Sequence, residues 1–181
     1  IDPSRGRDDY ILDRDFADQA IGWIRQQRAA APGKPLFVYF APGTAHAPHH
    51  APREWIDRYR GQFDHGWDEV RRQTLARQKQ LGVVPANTKL AERFAPIPEW
   101  RALTPQQKKV YAREMEVFAG ALSFADHEIG RVVDEARALL GPDTLVIYLQ
   151  GDNGASAEAG LDGSLNEHGI LNGVNASLDE M

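Results

Sequence analysis

The chain of 181 residues contains no cysteine. Disulfides, thiolate nucleophiles and thiolate-ligated zinc are therefore excluded, and the redox compartment cannot be read from cysteine usage. Long apolar runs are also missing. The longest, residues 36–41 and 145–149, fall far short of the ~20 residues a membrane-spanning helix needs, so no membrane partner is expected. Nor is there an excess of positive charge: 21 Lys and Arg stand against 26 Asp and Glu, a net charge of −5. With no basic block, nucleic acid is not expected as a partner. The opening residues, Ile1-Asp-Pro-Ser-Arg-Gly-Arg-Asp-Asp9, lack the apolar segment of a signal peptide. They begin on Ile rather than Met, within what reads as a polar loop, so the natural start is expected further upstream.

What remains is an ordinary globular composition, 42% hydrophobic and 26% charged, enough for one domain with a real core. Apolar positions at Phe16, Ala20, Ile21, Trp23 and Ile24 predict a helix over 14–30, with Asp13 or Asp15 available to cap it and Pro32-Gly33 to end it. Residues 35–40 then read as an unbroken apolar strand of the kind found inside parallel sheets. Residues 53–81 read as two short polar helices, and 82–103 as a proline-interrupted connection. The longest helix starts at Thr104-Pro105-Gln-Gln107, a capping box with proline at the first helical position. Its apolar positions recur from Val110 to Leu140 until Gly141-Pro142, and its internal Gly120 and Gly130 allow close packing or a bend. A second apolar strand is expected at 144–150, and the glycine-rich tail reads as a loop. Strand, helix-bearing crossover and strand form the βαβ unit of a parallel sheet with helical layers, an α/β fold.

Chemistry concentrates just past the two expected strands, where open α/β sheets carry their ligand sites. Gly151-Asp152-Asn153-Gly154 sets a carboxylate beside a carboxamide, oxygen donors suited to Ca²⁺. The same residue types also make simple turns. The loop Gly43-Thr-Ala-His-Ala-Pro-His-His50 places three histidines after the first strand. Any of them could donate to an anionic substrate oxygen or act as acid or base. His46 and His49 could also hold a transition metal, although no third ligand accompanies them. His127 is expected to be a partly buried helix residue, and His65 and His168 have no helpful neighbours.

Taken in order, these segments resemble the central part of bacterial arylsulfatases. Pro35-Leu-Phe-Val-Tyr-Phe-Ala-Pro, His46 with Ala51-Pro-Arg-Glu-Trp55, Tyr59-Arg-Gly61, Asp64-His-Gly-Trp-Asp68, Arg113-Glu-Met-Glu-Val117, Asp126-His-Glu-Ile-Gly-Arg-Val-Val-Asp134 and Gly151-Asp-Asn-Gly-Ala155 carry the likeness. It extends from about Tyr10 to Gly173. The resemblance implies an alkaline-phosphatase-like three-layer α/β sandwich with a mostly parallel sheet, incomplete here, with residues 1–181 as the central part of the catalytic domain. It also implies hydrolysis of small-molecule sulfate esters. Asp152 and Asn153 match the pair that ligates the catalytic Ca²⁺, and His46 matches the histidine that contacts the sulfate ester, with His49 as the next candidate.

The same resemblance implies a formylglycine nucleophile, made from Cys or Ser in a Cys/Ser-x-Pro-x-Arg motif. Ile1-Asp-Pro-Ser-Arg5 has Ile where the modifiable residue belongs and lies too near the first strand. The nucleophile, a first Asp pair and an early Lys/His pair are expected before Ile1, and a late Lys after Met181. A phosphonate or phosphate-ester hydrolase of the same superfamily and a non-catalytic α/β binding module are the alternatives. The compartment stays open between bacterial periplasm and cytoplasm, and the oligomeric state is not readable.

Overall fold

The computed structural model describes residues 4, 6, 8–151, 160 and 162–181. Five α-helices are present among them: α1 (Leu12–Ala30), α2 (Arg53–Asp57), α3 (Trp67–Gln80), α4 (Pro105–Leu140) and α5 (Glu167–Leu171). The chain divides into two compact units, residues 1–56 with 118–156 and residues 57–117 with 157–181.

In the first unit, α1 packs against the C-terminal part of α4. Ala17, Ile21 and Ile24 lie at i, i+4 and i+7 and meet Val132, Ala136 and Leu139, which share that spacing. One apolar stripe on each helix is enough to form a core. Leu36 and Phe40 close it from the following segment, and the Phe40 ring stacks on Phe16 with centroids 5.0 Å apart. Ion pairs border the contact: Arg25 donates to both oxygens of Glu135 at 2.7 and 2.8 Å, and Arg131 donates to Asp18 at 2.5 Å. Gly120 permits a close approach, since a Cβ there would fall 2.7 Å from Ile56 Cα. Gly130 has open space around it.

The second unit is built on aromatic packing. Trp67 meets Trp100 edge-on at 4.8 Å and Tyr111 at 5.8 Å, with Leu103 and Ala112 buried beside them. Gly66, at φ +80°, leaves room for the Trp100 indole, which a Cβ would meet at 2.1 Å. Asp68 accepts from the Trp100 backbone N–H at 2.9 Å and from Arg93 at 3.0 Å. The Trp100 N–H is the main reason the Asp68 carboxyl is held below the usual carboxylate range. Buried Glu116 accepts from Gly61 N–H and from Arg113, both at 2.7 Å.

Three expectations need correction. First, residues 35–40 and 144–150 are not strands: no β-ladder is present among the described residues. A strand exists only through a neighbour that takes up its N–H and C=O groups, and these two segments are not paired with each other. Most of their side chains stay exposed instead, Phe37 at 87%, Tyr39 at 81%, Leu145 at 82% and Leu149 at 86%. The mostly parallel sheet of the expected α/β sandwich is thus not formed among the described residues. Second, α1 begins at Leu12 with Ile11 at the N-cap and no side-chain cap. Asp13 and Asp15 fall in its first turn, where their charge favours the positive end of the helix. Third, the tail contains the short helix α5, which Asn166 caps by accepting from the His168 N–H at 3.0 Å. The two helices expected within 53–81 and the long helix from Thr104 are present, as is the proline-rich connection, which holds a 3₁₀ turn at Trp100–Ala102. No helix among the described residues is long and apolar enough to cross a membrane.

Candidate functional site

The loop between residues 42 and 50 carries three histidines in different circumstances. His46 is exposed. Its Nδ1 lies 2.7 Å from the Ala47 carbonyl oxygen, which can only accept, so the proton belongs on Nδ1. In the imidazolium form Nε2 donates as well. His49 is half-buried and turned to internal use. Its Nε2 pairs with the Ala45 carbonyl at 3.1 Å, and its ring meets Phe118 edge-on at 5.2 Å. His50 is exposed.

Backbone bonds tighten the loop, with His46 N–H donating to Gly43 C=O at 2.8 Å and His50 N–H to Pro48 C=O at 3.0 Å. Thr44 Oγ1 donates to a carboxylate oxygen of Asp13 on α1. A cleft of about 650 Å³ runs beside the loop, lined by Asp8, Asp9, Arg14, His49, His50 and Glu54 among others. His46 is not part of that lining. A second cleft of about 550 Å³ lies against α4 and includes Trp55, Asp126, His127, Tyr148 and Gln150. His127 is exposed rather than partly buried, with its ring 5.1 Å from that of Trp55.

Asp152 and Asn153, the expected metal ligands, lie outside the described residues. Among the described residues, no group of three or more His, Cys, Asp or Glu side chains is placed to hold a metal ion. The pairing of His46 with His49 as transition-metal ligands has no third member among the described residues, and His49 is already engaged with Ala45 and Phe118.

Two features have little sequence signal. Asp13 looks like a helix-start residue, and only the fold directs it to Thr44. Glu114 is raised to about 7, first by burial and then by the nearby charge of Asp162. Nothing in its neighbours along the chain marks it.

A sequence profile of the family described as Sulfatase matches residues 2–175. An arylsulfatase of Klebsiella aerogenes is 37% identical over 155 residues, covering 84% of this chain and 32% of that protein. An uncharacterized sulfatase of Schizosaccharomyces pombe is 31% identical over 147 residues, 77% of this chain and 25% of its own length. A sulfatase of Formosa agariphila is 22% identical over 137 residues, 75% and 25% respectively. The chain belongs to the sulfatase family. It spans about a third or less of the length of these curated relatives. Membership implies an alkaline-phosphatase-like fold, and the family typically uses a metal ion.

Proposed function

We propose that the full-length protein carrying this chain hydrolyses sulfate esters of small molecules, as an arylsulfatase-like enzyme that depends on Ca²⁺ and a formylglycine nucleophile. Residues 1–181 are the central part of its catalytic domain. His46 contacts the sulfate ester, and Asp152 and Asn153 supply two oxygen ligands to the metal. The observation that supports this reading is the sulfatase family match over residues 2–175; within the histidine loop, His46 is exposed, while His49 serves packing.

With Nδ1–H fixed, protonated Nε2 donates to an anionic sulfate oxygen or to the departing alcohol oxygen as charge develops there. Ca²⁺, when bound, offsets the negative charge on the sulfate oxygens. It takes roughly six to eight oxygen ligands, so Asp152 and Asn153 form only part of its shell.

The test compares p-nitrophenyl sulfate with p-nitrophenyl phosphate and a phosphonate monoester on the full-length protein. Turnover fastest on the sulfate, abolished by a chelator and restored by Ca²⁺, is the expected result. H46A should lower kcat on the sulfate by about 100-fold, the scale of a lost general acid or electrostatic donor. A preference for the phosphorus esters would assign the protein to the phosphonate or phosphate-ester branch. No turnover of any ester would leave a non-catalytic α/β module.

A further inference from the structure

Asp13 is a carboxylate that the proposed chemistry does not use, yet the fold buries it to 6% exposure. Such burial is strongly unfavourable unless the charge is compensated. Two compensations are present. Asp13 lies in the first turn of α1, where the backbone N–H groups favour a negative charge. It also accepts the hydroxyl hydrogen of Thr44, 31 positions along the chain. An apolar residue would fill the same place without the desolvation penalty, so what the carboxylate adds is a fixed attachment for Thr44.

That attachment lies two residues before His46. The loop is gripped again by His49, whose ring bonds the Ala45 carbonyl and rests on Phe118. His46 sits between the two anchors, and its ring orientation depends on the Ala47 carbonyl of the same loop. The anchor itself is rigid, because Ala17, one turn beyond Asp13, is fully buried in the α1 core and Phe16 stacks on Phe40. Functional side chains hold their geometry when a second set of groups on a regular element fixes them.

We propose that Asp13, acting through the Thr44 hydroxyl, is a positioning residue that sets the His46 loop for contact with the sulfate ester. The proposal rests on the reading of His46 given above. Removing the tether leaves His46 present but misplaced, which affects the transition state more than ground-state binding.

The experiment measures kcat and KM for p-nitrophenyl sulfate in the full-length protein carrying H46A, T44V, T44S, D13A, and the doubles T44V/H46A and D13A/T44V, with the melting temperature of each. We expect T44V to lower kcat about 10-fold with KM changed less than about twofold, the signature of lost transition-state alignment. T44S, which keeps the hydroxyl, should return kcat to within about twofold of the parent. D13A/T44V should be no slower than either single variant, and T44V should add less than about twofold on top of H46A, as residues acting in one unit do. An unchanged kcat in T44V, a T44S variant as slow as T44V, or a T44V loss that persists in the H46A background overturns the positioning role. Undiminished kcat in H46A overturns the reading of His46 itself, a separate outcome. If T44V does not fold, T44A removes the hydroxyl without added bulk and is judged by the same comparisons.

Discussion

Glu114 on α4 titrates at about 7 because its carboxyl is partly buried and faces the charge of Asp162. Tyr111, one turn earlier, donates to Asp162 and is pushed up to about 12, mainly by burial. Gly163 fits against the pair because it has no Cβ, which would fall 2.1 Å from Glu114 Oε1. Glu114 ionises near 4.5 in the unfolded chain and near 7 in the folded one. Below 4.5 it is neutral in both states and stability is undiminished. As pH rises from about 4.5 to 7, the unfolded chain loses the proton first, so stability falls across that window and then levels off. Chemical denaturation across pH should show this slope in the parent. In E114Q the slope should be reduced, with greater stability than the parent at pH 8 and little difference at pH 4.5. A parent-like slope in E114Q would mean that another group carries it.

Among the elements, α4 is the one whose start is written most plainly. Thr104 N–H donates to Gln107 Oε1 at 2.9 Å, and Gln107 N–H donates to Thr104 Oγ1 at 3.2 Å. Both arms of the capping box expected from Thr104-Pro-Gln-Gln107 are made. T104A removes one arm and should lower the unfolding free energy by about 1 kcal/mol, as lost N-caps do, readable as a shift in the urea midpoint with unchanged slope. The start of α1 behaves differently. Its sequence offered two capping carboxylates, but the side chains went elsewhere: Asp13 holds Thr44, and Asp15 accepts from Tyr10 at 3.2 Å. With the helix starting at Leu12, both carboxylates lie in its first turn rather than at the N-cap.

Across the whole chain, the two segments expected as strands mark the limit of self-sufficiency. Phe37, Tyr39, Leu145, Ile147 and Leu149 are 70–87% exposed, an apolar surface that favours association. The purified 1–181 segment should therefore bind a hydrophobic dye strongly. Isothermal titration should show no tight Ca²⁺ uptake, since the proposed ligands Asp152 and Asn153 would supply only two of the roughly six that Ca²⁺ takes, and aryl sulfates should not turn over. Turnover by the purified segment would overturn this. The sequence by itself determined the helices within 12–30, 53–80 and 105–140, because periodicity, caps and glycine or proline stops act over a few residues. It also marked the histidine loop, and its ordered motifs marked the family. Tertiary structure decided which histidine the loop turns inward, where Asp13 directs its carboxylate, and what raises Glu114. It also decided that two apolar segments with the composition of strands form no ladder among the described residues. Burial, charge proximity and strand pairing all depend on groups distant in the chain, and no local pattern encodes them.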